Sequence, residues 1–210
     1  MKIAIIGAGN VGRALAGSFA RAGHEVTLSS AHPDTARAVA AETGVEAVAG
    51  NGEAVADADL VVLAVPYPAL VDVLDEVGDR LTGKVVVDAT NPLRPDYQGL
   101  AVEGTSGAEQ IQARVPGAHV VKAFNSVLAA RQAAPTVEGT QLDGFVAGDD
   151  AEAKRIVLDL VGAIGLNPID AGPLEVARAL EALALLNIVL QLRNNGSWQT
   201  GWKLVGPLSA

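Results

Sequence analysis

Gly7, Gly9 and Gly12 lie in the stretch I-I-G-A-G-N-V-G, directly after the apolar run Ile3-Ala4-Ile5-Ile6. A G-x-G-x-x-G between a strand and a helix is a cradle for a pyrophosphate. The first glycine permits a tight turn, the second lets backbone approach the phosphates, and the third allows close helix–strand packing. Gly7, Ala8 and Gly9 then form the loop, while Asn10, Val11 and Gly12 open a helix whose free N–H groups and dipole favour an anion. A plain glycine-rich turn is the competing reading. The position of the pattern, after a strand and before a helix, weighs against it.

About twenty residues past that motif, a carboxylate usually holds the free ribose diol of NAD. Here the chain reads Leu28-Ser29-Ser30-Ala31-His32. A carboxylate would repel a 2′-phosphate, whereas Ser29 and Ser30 offer hydroxyl donors and His32 a further donor. The expectation is NADP(H) rather than NAD(H). These residues also suit the N-cap of a following helix, with Pro33 in its first turn, and both roles are compatible. Further on, Ala64-Val65-Pro66 and Ala89-Thr90-Asn91-Pro92 each follow an apolar run, on the rim where an extended cofactor would lie. Ala64, Val65, Pro66, Asn91 and Pro92 are its candidate contacts there.

The elements that must position these residues are legible as alternating patterns. Strands are expected at Lys2–Ile6, Glu25–Leu28, Leu60–Ala64, Val85–Asp88, His119–Ala123, Gly144–Ala147 and Asn167–Asp170, with a weak one at Val45–Val48. Helices are expected near Val11–Ala22, Asp34–Thr43, Pro68–Leu81, Ala108–Arg114 and Ala151–Ile164. Continuous apolar strands alternating with helices imply an α/β fold, a Rossmann-type doubly wound parallel sheet covered on both faces. After Asp170 the pattern changes to a turn and one long helix ending near Arg193. Residues 1–170 therefore read as a dinucleotide-binding domain and 171–210 as a small C-terminal helical annex.

Composition narrows the function classes. The 210 residues carry a formal net charge of -9, with 50% apolar and 3% aromatic residues. Such a surface disfavours nucleic acid and anionic membranes, so an anionic cofactor must be met locally. The chain has no cysteine, which removes disulfides and thiolate chemistry. Ala177–Leu192 is apolar but interrupted by Arg178 and Glu181, short of a membrane span. The N-terminus runs straight into a strand rather than a signal peptide. A soluble, cytoplasmic protein is expected. No metal site is expected, because His24 and His119 lack metal-spaced partners. The annex helix is apolar on more than one face, which points to a homodimer, and Trp198 and Trp202 read as core or dimer contacts.

Taken in order, G-A-G-N-V-G-R-A, L-S-S, A-V-P, D-A-T-N-P, V-V-K-A-F-N-S and D-A-G-P-L, with W-K-L near the end, span nearly the whole chain. The set resembles the coenzyme F420-dependent NADP oxidoreductase family, and the related domains of metalloreductases that pass electrons from NADPH to a flavin. The resemblance implies an NADPH laid across the sheet edge with a deazaflavin or flavin on its nicotinamide. It would put Gly9, Asn10 and Val11 on the pyrophosphate and Ser30 on the 2′-phosphate. Val65 and Pro66 would flank the ribose, and Ala123, Phe124 and Asn125 would lie near the redox rings. Archaeal members carry Ser-Arg where this chain has Ser30-Ala31, and a His where Asn125 stands.

The residues are consistent with an exchange between two cofactors. Reduction of a carbonyl or imine needs a positioned proton donor, and the annex helix offers only Glu175, Arg178 and Glu181 as charges in its first half. Hydride transfer between nicotinamide and coenzyme F420 or a flavin asks mainly for alignment of two rings. No catalytic side chain is therefore expected. Lys122 is read either as a contact to a phosphate or carboxylate of the second cofactor or as a structural charge. The alternatives are an NADPH-dependent reductase of a small carbonyl or imine and a non-catalytic NADP(H) sensor.

Overall fold

The computed structural model describes residues 1–208. Its strands are β1 (Lys2–Ile6), β2 (Glu25–Ser29), β3 (Glu46–Ala47), β4 (Leu60–Leu63), β5 (Val85–Asp88), β6 (His119–Lys122), β7 (Thr136–Val137), β8 (Thr140–Gln141), β9 (Asp143–Gly148) and β10 (Asn167–Gly172). Its helices are α1 (Asn10–Arg21), α2 (Pro33–Thr43), α3 (Asn51–Ala56), α4 (Leu70–Val77), α5 (Gly107–Arg114), α6 (Ala129–Ala133), α7 (Ala151–Ala163) and α8 (Ala177–Arg193). Eight strands form one sheet in the order β10-β9-β6-β5-β4-β1-β2-β3, and β7 and β8 form a separate small hairpin.

β1 sits centrally because its residues alternate between two cores. Ile3 and Ile5 pack with Leu15, Phe19 and Leu28 on one face, whereas Ala4 and Ile6 pack with Val61, Leu63 and Val73 on the other. A strand buried on both sides reads as a continuous apolar run, as this one does. From β1 the chain winds outward to β2 and β3, then returns to β4, β5 and β6 on the other side. The order reverses between β1 and β4, which opens a crevice at the carboxyl ends of those strands.

The sheet is not wholly parallel as expected. β9 runs antiparallel to β6, pairing Lys122 with Ala147, and β10 runs parallel to β9. The physical reason lies between β6 and β9: α6 and the β7–β8 hairpin do not cross the sheet. β9 therefore starts from the rim where β6 ended, without the crossover a parallel neighbour requires. Short apolar runs carry no sign of direction. α3, α6 and the hairpin were not expected, being segments of two to six residues with at most one valine each, too short to show a period.

α8 packs on α5 and on the 3₁₀ turn Leu174–Val176 that precedes it. Its inward stripe is Ala177, Leu180, Glu181, Ala184, Asn187 and Gln191, at helical spacing, whereas Leu186, Leu190 and Leu192 face outward. The chain then folds back. Thr200 Oγ1 donates to Asn187 Oδ1 (2.7 Å), and Lys203 Nζ donates to the buried Asp143 at the head of β9 (2.7 Å). Among the described residues, no helix is long and apolar enough to cross a membrane.

Candidate functional site

Three glycines shape the turn from β1 to α1, each differently. Gly7 has φ +115°, and a Cβ there would come 2.4 Å from the carbonyl oxygen of Ala64 at the end of β4. Gly12 lets α1 press on the loop, since a Cβ would fall 1.8 Å from the Gly7 oxygen. Gly9 is the reverse case: its Cβ would meet nothing within 4 Å, and the residue is exposed. It is the N-cap of α1, with no side-chain cap and no acidic residue in the first turn. The N–H groups that begin α1 therefore face an open, positively polarised surface, which fits a pyrophosphate.

At the end of β2 the two serines separate. Ser29 is fully buried and its hydroxyl donates to Asn51 Oδ1 (2.8 Å). Asn51 in turn donates to Glu76 (2.7 Å). Ser29 ends β2, and its side chain meets α3 and, through Asn51, α4. Ser30 is half-buried and His32 exposed at the N-cap of α2. The Ser30 hydroxyl accepts the His32 backbone N–H (3.1 Å).

The rim above β4, β5 and β6 carries the other candidates. Ala64 and Val65 are half-buried and Pro66 is exposed. Asn91 and Asn125 form a reciprocal pair: Asn125 Nδ2 donates to Asn91 Oδ1 (2.9 Å), and Asn91 Nδ2 donates to the Asn125 backbone oxygen (3.0 Å). Asn125 Nδ2 also donates to the Leu180 oxygen in α8 (3.0 Å). Two backbone carbonyls, which only accept, fix both amide orientations. Asn125 Oδ1 is left as a buried acceptor without a protein partner, and Thr90 Oγ1 and Ser126 Oγ are likewise unpartnered. Buried polar groups normally find partners, and these three stand behind the rim rather than on its surface. Pro92 is buried behind Asn91, and Ala8 is buried behind the glycine loop.

Phe124 turns its ring away from the rim. Its ring is 1% exposed and meets Phe19 edge-on, with centroids 5.7 Å apart. The backbone there has φ +65°, an uncommon conformation for a side chain with a Cβ. The turn gives the ring to the core and leaves backbone, not an aromatic face, at the rim. Ala123 is also fully buried.

Lys122 is resolved as a structural charge rather than a contact to a second cofactor. Its ammonium donates to Asp88 Oδ2 (2.7 Å), the Thr90 oxygen (2.7 Å) and Glu181 Oε1 (2.8 Å). All three charged side chains are 0% exposed. Glu181 also accepts the Gly107 N–H at the start of α5 (2.9 Å). Burial raises the Glu181 carboxyl above its ordinary range and the charge of Asp88 adds to this, while Lys122 and the Gly107 N–H oppose it. Burial, then the charges of Glu181 and Asp88, also raises the Tyr67 hydroxyl, which donates to Gln110 (2.5 Å). The sequence reading missed Asp88. A signal was present, since an aspartate and a lysine end two apolar strands, and they stand opposite each other in register.

The remaining charges near α8 are committed elsewhere. Arg178 binds Glu109 through two hydrogen bonds (2.6 and 2.9 Å). His119 lies at the amino end of β6 beside Asp150 (3.3 Å). Among the described residues, no cluster of His, Asp or Glu has the arrangement of a metal site.

A switch-point crevice and an uncapped glycine loop at its edge define a dinucleotide-binding protein of the Rossmann type. The profile of the family "NADP oxidoreductase coenzyme F420-dependent" matches residues 2–92. The F420-dependent NADP reductase of Methanothermobacter thermautotrophicus is 35% identical, over 92% of this chain and 90% of its own. A crystal structure of a putative F420-dependent NADP reductase from an Arthrobacter species superposes with a TM-score of 0.86 at 31% identity, covering 98% of this chain and all of the other. The rat metalloreductase STEAP3 is 32% identical over 88% of this chain, which spans only 36% of that longer protein. The chain belongs to the coenzyme F420-dependent NADP oxidoreductase family.

Proposed function

We propose that the protein transfers a hydride between NADP(H) and coenzyme F420 at the carboxyl rim of β4, β5 and β6. The observation that carries this reading is the open, uncapped start of α1 at the glycine loop, in a chain alike over nine-tenths of its length to an F420-dependent NADP reductase. The N–H groups of Asn10 and Val11, beside Gly9, hold the pyrophosphate. Ser30 and His32 hold the 2′-phosphate, with no carboxylate in the stretch from Ser29 to Pro33 to repel it. Val65, Pro66, Asn91 and the backbone at Ala123 and Phe124 line the ribose and nicotinamide.

Bound side by side, the two coenzymes supply the electronics of the exchange. This chain aligns them and keeps water out. Asn125, tied to Asn91 and to the Leu180 carbonyl, fixes the shape of the rim on which they lie. The buried surroundings of Asn125 and Ala123 keep bulk water from a reduced ring.

Residues 1–170 act as the NADP-binding domain, and 171–210 complete the second-cofactor site. The outward leucines of α8 support a homodimer, checked by sedimentation, and the acidic, cysteine-free chain suits the cytoplasm. A flavin is the second acceptor to assay, favoured by the likeness to the metalloreductase. Mixing the protein with NADPH and either acceptor, and following nicotinamide and acceptor absorbance together, tests the reading. Equal and simultaneous loss of both bands with F420 is expected, and no oxidation of NADPH by F420 would overturn it.

A further inference from the structure

We propose that Asp88, Lys122 and Glu181 are positioning residues for hydride transfer, because the buried ion triad they form sets where α8 lies over the β5–β6 rim. The proposal rests on the reading that this rim receives the second ring. Each member of the triad stands immediately behind a part of the rim. Asp88 precedes the turn of Thr90 and Asn91, and its Oδ1 accepts the Thr90 N–H (2.9 Å). Lys122 precedes Ala123, Phe124 and Asn125. Glu181 follows Leu180, whose carbonyl holds the Asn125 amide.

Stability alone does not call for this arrangement. Well-packed apolar residues of similar volume generally hold a helix as firmly as a buried ion cluster, and often more so. Apolar contact, however, has no direction, and the inward face of α8 near the rim offers only Ala177, Leu180 and Ala184 for it. The triad is directional. Three N–H donors of one ammonium meet three separate acceptors, and Glu181 is further tied to the first N–H of α5. Sliding α8 by one turn, about 5.4 Å, would break the Lys122–Glu181 and Gly107–Glu181 contacts together. It would also carry the Leu180 carbonyl away from Asn125. A displacement of about 1 Å between reacting groups can cost on the order of a hundredfold in rate, so the position of α8 matters to the transfer well before it matters to folding.

The test compares Glu181→Ala with Glu181→Gln in the full chain. Glutamine keeps an acceptor for Lys122 and Gly107 but has no acidic proton to give, which separates positioning from acid catalysis. In Glu181→Ala, amide hydrogen exchange along residues 177–187 should accelerate at least tenfold while β4, β5 and β6 keep their protection. Single-turnover hydride transfer should fall at least tenfold with NADP⁺ affinity within twofold of the parent. Glu181→Gln should restore both to within threefold. Glu181→Ala with parental exchange in α8, or with parental hydride transfer, overturns the proposal. Should Glu181→Ala not fold, the neutral triple variant Asp88→Asn, Lys122→Met, Glu181→Gln takes its place with the same expected losses and the same overturning results. A parent that oxidises NADPH with neither F420 nor a flavin defeats the proposed function instead, and the exchange measurement tells the two failures apart.

Discussion

Asp88 and Lys122 occupy the same register of two neighbouring parallel strands, and their side chains meet at 2.7 Å with no exposure to solvent. With Glu181 reaching in from α8, one ammonium serves two carboxylates. Lys122→Met removes the only cation and leaves both carboxylates buried together. Breaking a buried pair in this way typically costs about 3–5 kcal/mol, which urea unfolding at neutral pH would register. The pH dependence follows from Glu181, whose carboxyl is raised in the folded protein by burial. An acid with a raised folded pKa costs nothing below its unfolded value and costs progressively more as pH climbs through the folded one. The deficit of Lys122→Met should therefore grow from mildly acidic to neutral pH. A deficit that stays flat across that range would show that Glu181 does not titrate there.

The glycine loop separates folding from binding. Gly9→Ala adds a methyl group into open space, so the melting temperature should stay within a few degrees while NADP⁺ binding weakens at least tenfold. Gly12→Ala drives a methyl into the Gly7 carbonyl and should lower both. Unchanged NADP⁺ affinity in Gly9→Ala, read by calorimetric titration, would take the pyrophosphate away from this loop.

The two serines should answer differently. Ser30→Asp sets a carboxylate against the 2′-phosphate, so the preference of NADPH over NADH should invert or vanish. Ser29→Ala loses a buried hydrogen bond to Asn51, worth about 1 kcal/mol of stability, and should leave the cofactor preference intact. A loss of preference in Ser29→Ala would restore Ser29 to the ligand.

The C-terminal strap predicts acid sensitivity. Burial would raise the Asp143 carboxyl, but Lys203, the Leu204 N–H and Asn167 outweigh it and hold the group below its ordinary range. The stability this gives is fully present above the ordinary aspartate pKa of about 3.9. It is lost as pH falls through the lower folded value. Lys203→Met should flatten the unfolding profile in that acid window and leave NADP⁺ binding at neutral pH within twofold.

Much of the site was legible because its chemistry lies in backbone and spacing. The glycines state their roles through position, and D-A-T-N-P and V-V-K-A-F-N-S mark the ends of strands that do end there. Side-chain direction was not legible. Whether Ser29 ends β2 or opens the turn after it depends on where the strand stops, and whether Phe124 offers a ring or a backbone depends on one positive φ. Lys122 was ambiguous because its partners come from β5 and α8, 34 and 59 residues away. The antiparallel β9 was hidden for the same reason, since direction is set by the connection rather than by the strand.

Direct hydride transfer between two coenzymes aligned on one rim, as proposed, carries an isotopic signature. Its sharpest test uses NADPH deuterated at both C4 positions, mixed with the protein and oxidised coenzyme F420 in ordinary water, with mass analysis of the reduced deazaflavin. One deuterium per reduced ring is expected, delivered from C4 of the nicotinamide without exchange, at a rate that falls when Asn125 is changed to Leu. A reduced deazaflavin whose new carbon-bound hydrogen comes from water, or no reduced deazaflavin at all, would contradict it.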